Sequence, residues 1–174
     1  YRFWDTVPAN SITLAAMDFM NASLIEQMSG IRDALMKLAE PEAARAWPYY
    51  LRCKVGASPA FAFMLFPKDM KIDISVYLPA MSDIILFTDL ANDILSFHKE
   101  SLAGETNNYI HNRARVAQKS VLETLQDVVD ETLAACARIT KVLQSTDAAI
   151  PWKRYVNGYL AFHVTEKRYR LSEL

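Results

Sequence analysis

Three oxygen-bearing side chains, Asn92, Ser96 and Glu100, recur at four-residue intervals in the stretch NDILSFHKE. On an α-helix that spacing advances only about 40° per step, so the three lie along one face. An amide oxygen, a hydroxyl and a carboxylate are hard ligands, suited to Mg²⁺ or Mn²⁺ and unsuited to Zn²⁺. A cation held by a single protein carboxylate still seeks anionic ligands, typically phosphate oxygens. Lys99, beside Glu100 in the chain, offers a positive charge to a diphosphate oxygen where the helix orientation permits. The same spacing also describes a polar stripe on an amphipathic helix, and spacing alone does not decide between the two.

A helix has to carry those residues, and the pattern predicts one from about Met81 through Glu100, with the apolar run IILFTDLA leading into the motif. Upstream, Ile12, Ala15, Ala16, Phe19, Met20, Leu24 and Met28 recur at helical spacing, with Asn10 or Ser11 as the N-cap. Gly30 interrupts that helix before Ile31, Leu35 and Leu38 continue it, and Pro41 stops it. The segment YYLRCKVGASPAFAFMLFPKD reads as a buried helical region broken near Gly56, Ser58 and Pro59, leaving backbone groups free to face a ligand. A short helix is predicted over Ile72 to Leu78. The polar stretch SLAGETNNYIHNRA reads as a loop.

Beyond it, Val121, Leu125, Val128, Val129, Leu133, Ile139 and Leu143 form an amphipathic stripe ending near Ser145. A final helix runs from Ala149 to about Arg170, with Pro151 accepted in its first turn. There is no strand-like alternation bounded by hairpin turns and no internal repeat, so the expected fold class is an all-α bundle.

The chain has 174 residues, 52% of them hydrophobic and only four of them glycine, which suits one packed domain rather than a disordered or loop-rich one. A formal net charge of −1 gives no global field for nucleic acid or an acidic membrane. Cys53 and Cys136 lie far apart and form no metal-type spacing, so a reduced, cytoplasmic protein without a disulfide is expected. No run of about 18 uncharged apolar residues suggests a membrane span. The start, YRFWD, has no initiator Met and no signal-peptide pattern, and the expectation is a sequence that begins inside something longer.

NDILSFHKE resembles the second metal-binding motif of class I terpene synthases, Asn-Asp-x-x-Ser-x-x-x-Glu with Lys just before the Glu. LRCKVGASPAFAFMLFPK, 51–68, resembles the stretch of fungal trichodiene synthases that carries a diphosphate-sensing Arg, here Arg52. KRYRLSEL, 167–174, is similar to the late Arg-Tyr pair of that family, here Arg168 and Tyr169. Three matches in the right order are more specific than any one.

The resemblance implies that residues 1–174 are the C-terminal portion of one class I terpene synthase bundle, incomplete at its N-terminus. It implies that Asn92, Ser96 and Glu100 bind one Mg²⁺ of a three-ion cluster, and that Arg52, Lys99, Arg168 and Tyr169 grip diphosphate. The implied activity is that of a Mg²⁺-dependent sesquiterpene cyclase, which ionises farnesyl diphosphate, cyclises the carbocation and releases diphosphate, and the implied assembly is a homodimer. The cation would need an apolar, aromatic pocket, for which Phe61, Phe63, Phe66, Phe87, Trp152 and Tyr159 are candidates.

The sequence departs from that family in its acidic motif and at His98, which stands where fungal relatives often have Tyr. No aspartate-rich motif precedes NDILSFHKE. DVVDE, 127–131, follows it and reads as a solvated face, while Asp69 and Asp73 sit among Lys68 and Lys71 in a connector. His98, His111 and His163 show no ligand spacing and receive no chemical role. Two further readings stand beside the cyclase: one for a different prenyl diphosphate, and a non-catalytic helical paralogue or fragment that keeps the fold and part of the diphosphate site.

Overall fold

A computed structural model describes residues 2–32 and 37–174. Among them every regular element is helical. In chain order these are α1 (Thr6–Gln27), α2 (Ser29–Arg32), α3 (Trp47–Val55), α4 (Ser58–Met64), α5 (Ile74–Tyr77), α6 (Met81–Leu102), α7 (Tyr109–Ala117), α8 (Val121–Leu143) and α9 (Ala149–Thr165). The all-α expectation is met.

α6 is the central helix. It buries Met81, Ile84, Phe87, Thr88, Leu90, Ala91 and Ser96, which lie on several sides of it, as a helix sheathed by neighbours requires. It packs against α8, α4, α9 and α3. Ile84, Phe87 and Ala91 share the larger core cluster with Ala135, Ile139 and Leu143 of α8 and Trp152 of α9. Leu90 joins a second cluster with Tyr109, Ile110 and Val128. Full burial of each large side chain such as Ile84 or Leu90 stabilises the fold by about 1.5–3 kcal/mol. The segment Ile74–Leu102 is long and apolar enough to cross a membrane by length and composition, but half of its most apolar window is buried in the core.

Several element boundaries differ from the sequence expectation. α1 begins at Thr6, before Asn10, because Pro8 falls in its first turn, where a missing N–H costs nothing. It breaks at Met28, two residues before Gly30. The predicted continuation through Leu35 falls on 33–36, outside the described residues, and Leu38 is exposed and non-helical. The short helix expected over 72–78 narrows to α5 and runs on as a 3-10 turn, Leu78–Ala80.

The stretch expected to be a loop holds α7. Asn108 caps it by accepting the His111 N–H at 3.0 Å, and Tyr109, Ile110, Ala114 and Val116 form its buried side. α8 matches its expected span and is opened by a Ser120/Glu123 capping box. Its buried stripe is Thr124, Val128, Thr132, Ala135, Ile139 and Leu143, whereas Leu133 is exposed. α9 stops at Thr165 rather than Arg170. The chain then makes two 3-10 turns, Lys167–Tyr169 and Leu171–Glu173, joined by Arg170 in the left-handed region at φ 58°.

Candidate active site

The chain breaks between α3 and α4 where the sequence places the break, near Gly56 and Ser58. Gly56 keeps an ordinary helical φ, and Ala57 adopts the left-handed conformation at φ 50°. Gly56 is needed for space: a Cβ there would overlap Arg52 Nη1 and Asp89 Oδ1. The break therefore lays backbone directly over a buried ion-pair network.

Arg52, on α3, reaches across to α6. Its Nε donates to both carboxylate oxygens of Asp93 at 2.7 and 2.8 Å, and Nη1 pairs with Asp89 Oδ1 at 3.0 Å. Nη2 donates to the Asp89 carbonyl at 3.0 Å and to Asn92 Oδ1 at 3.2 Å. Ser58, at the start of α4, donates its hydroxyl to Asp89 Oδ1. Asp89 Oδ2 is buried and has no partner among the described residues. Burial pushes the Asp89 carboxyl up to about 6 and that of Asp93 up to about 7, and the Arg52 guanidinium pulls both back. Two carboxylates face one guanidinium, so the trio takes up a proton as the pH falls into this range.

The three spaced oxygens lie along α6 as expected. Asn92 is half-buried, and its oxygen faces Arg52 while its Nδ2 lies 3.1 Å from His163 Nε2. Ser96 is buried on the same helix. Glu100 accepts from Lys99 Nζ at 3.0 Å and from Asn108 Nδ2 at 3.0 Å, which ties the motif to the cap of α7. Lys99 thus engages Glu100 in this conformation.

Two cavities of about 550 Å³ each meet at Arg52, Val55 and Asn92. One is polar. Glu26, Asp93, Glu100 and Glu105 line it against Arg52 and Arg168, an excess of carboxyl groups that favours a cation. The other is lined by Phe61, Tyr155, Tyr159, Phe162 and Tyr169. Arg168 and Tyr169 share one 3-10 turn yet serve different cavities, since Arg168 lines the polar one and Tyr169 the aromatic one. The Arg168 guanidinium lies over the Tyr169 ring at 5.1 Å.

Of the aromatic residues expected around a carbocation, Phe61 and Tyr159 line this cavity. Phe63, Phe66, Phe87 and Trp152 belong to the core cluster instead. Tyr159 is anchored by its hydroxyl, which donates to the Thr88 carbonyl at 2.9 Å, and Thr88 Oγ1 shares a 2.8 Å hydrogen bond with Tyr155. DVVDE lies apart from both cavities' junction and is satisfied locally. Asp127 pairs with Lys119, Asp130 accepts from Gln126, and Glu131 pairs with Arg113.

A family model described as Trichodiene synthase (TRI5) matches residues 1–174. The chain belongs to the trichodiene synthase family. It is 39% identical over 171 residues to "Terpene synthase BipA" of Cochliobolus sativus, covering 97% of this chain and 51% of that protein. It is 35% identical over 168 residues to "Monoterpene synthase 25" of Postia placenta, covering 95% and 48%. To "(E)-beta farnesene synthase" of Metarhizium brunneum it is 36% identical over 137 residues, covering 74% and 40%. The chain spans about half the length of the curated relatives it matches.

Three residues of this site, Asp89, Asp93 and His163, are missed from the sequence. Asp89 and Asp93 are spaced four apart on one helix face, and that spacing could have paired them with Arg52. His163 is buried against Asn92 from 71 residues away, and no local spacing reveals it.

Proposed function

We propose that the intact protein is a divalent-metal-dependent sesquiterpene cyclase acting on farnesyl diphosphate, and that this chain is its C-terminal portion. The observation that carries the reading is the meeting of a polar, carboxyl-rich cavity and an aromatic one at Arg52 and Asn92. A prenyl diphosphate has the matching two ends.

Asn92, Ser96 and Glu100 suit Mg²⁺ or Mn²⁺ because their donors are all hard oxygens and two of them line the carboxyl-rich cavity. Among the described residues no three His, Cys, Asp or Glu side chains gather as an alternative ligand set. When bound, the cation supplies Lewis-acid neutralisation of the departing diphosphate. Arg52 can take two phosphate oxygens with its planar fork, exchanging bonds it now makes to Asn92 and the two aspartates. Arg168 lines the same cavity, and Lys99, which lines neither cavity and is paired with Glu100, would have to release that carboxylate to join it. Tyr155, Tyr159, Phe162 and Phe61 offer aromatic rings whose π faces can stabilise positive charge.

A second reading, a cyclase for a shorter prenyl chain, is favoured by the likeness to a protein named a monoterpene synthase. Free thiols at Cys53 and Cys136 support a reducing, cytoplasmic location. The test is turnover of geranyl, farnesyl and geranylgeranyl diphosphates side by side, with Mg²⁺ and the intact protein. Fastest release of diphosphate and a cyclic product from farnesyl diphosphate are expected. Release from none of the three overturns the cyclase reading.

A further inference from the structure

His163 lies on α9 with only 1% of its surface exposed, between the rings of Tyr159 at 4.6 Å and Tyr169 at 4.4 Å. Its Nδ1 is 2.7 Å from the Tyr159 carbonyl oxygen. A carbonyl only accepts, so Nδ1 carries the proton and Nε2 is left with a lone pair. The Asn92 Nδ2 amide then donates to Nε2 at 3.1 Å.

That bond and the Arg52 contact together decide which end of the Asn92 carboxamide turns away from His163. With the nitrogen turned to His163, the oxygen turns to Arg52 Nη2 at 3.2 Å. The flipped amide would set its oxygen against the Nε2 lone pair and its N–H₂ against a guanidinium that can only donate. Only the oxygen end can ligate a hard cation. A cation that takes Asn92 Oδ1 competes with Arg52 for that atom, and His163 then remains to hold the amide's orientation.

We propose that His163 is a positioning residue that presents Asn92 Oδ1 to the polar cavity, and that it thereby sets the affinity of the site for a divalent cation. The inference rests on the reading of Asn92 as a cation ligand.

Two substitutions separate positioning from simple packing. His163→Gln places an acceptor where Nε2 stood and keeps the reach to Asn92. His163→Asn keeps a donor for the Tyr159 carbonyl but is too short to reach Asn92. The readout is Mn²⁺ affinity of the intact protein in the presence of inorganic diphosphate, followed by the loss of the free Mn²⁺ signal in electron paramagnetic resonance. Loss of an outer-shell partner typically weakens metal binding about 10–100-fold, so the Asn variant is expected to weaken by about tenfold or more while the Gln variant stays close to the wild type. Equal weakening in both variants, or wild-type affinity in the Asn variant, overturns the positioning role and leaves Asn92 as a ligand. Absence of Mn²⁺ binding in the wild-type protein overturns the ligand reading and the positioning role together.

Discussion

α1 and α6 are both 22 residues long and both rich in apolar side chains, yet they are used differently. α1 buries only Pro8, Ala15 and Ala22 and leaves Leu14, Met17, Met20 and Leu24 exposed. α6 is sheathed by α3, α4, α8 and α9, and it carries two carboxylates into that sheath. Burial of charge is tolerated on α6 because Arg52 arrives from α3 with Nε on Asp93, Nη1 on Asp89 and Nη2 on the Asp89 carbonyl and Asn92. The comparison teaches that apolar content does not mark the functional helix. The polar residues that an apolar helix has to satisfy are what mark it.

Substitutions on the two helices and their partners should separate sharply. Arg52→Ala leaves Asp89 and Asp93 buried without their counter-charge, and about 3–5 kcal/mol of stability is expected to disappear from the urea midpoint. Gly56→Ala forces a Cβ into Arg52 and Asp89, for which overpacking predicts a loss of about 1–3 kcal/mol in the same measurement. Tyr159→Phe removes one hydrogen bond, to the Thr88 carbonyl, and should cost about 1 kcal/mol. Leu14→Gln on the exposed side of α1 should change stability by no more than about 0.5 kcal/mol. A loss at Leu14 comparable to that at Arg52 would erase the contrast between the helices.

The same contrast has a pH signature. Asp89 and Asp93 have pKa values raised by burial, to about 6 and about 7, so over this range the folded chain holds more protons than the unfolded one. Their contribution to stability is therefore full below the ordinary aspartate range, about 4, and declines as the pH rises through about 6 to 7. Asp89→Asn should flatten that decline in denaturation curves recorded from pH 4 to 8, whereas Leu14→Gln should leave it intact.

Much of the fold was legible because α6 and α8 carry long, sustained periodicity. The sequence reads as loop where α7 begins because Gly104, Asn107 and Asn108 hide a short buried face of Tyr109, Ile110, Ala114 and Val116. The sequence carries α9 on to about Arg170, and α9 ends at Thr165 for a tertiary reason. Tyr169 is drawn back onto His163 and Phe162, and no Gly or Pro in the sequence announces the turn. In the site, the oxygens of α6 and the basic residues Arg52 and Arg168 could be named from residue type and resemblance. The buried network that holds them could not, since Arg52 meets its aspartates and His163 meets Asn92 only after α3, α6 and α9 have packed.

The proposed function requires that the Asn92–Glu100 face of α6, with Arg52 and Arg168, bind diphosphate together with a divalent cation. Calorimetric titration of inorganic diphosphate into the intact protein, with and without Mg²⁺, tests it most directly. Binding that needs Mg²⁺ and is lost in Glu100→Gln is expected. Binding of equal strength with and without Mg²⁺, unchanged by Glu100→Gln, would contradict it.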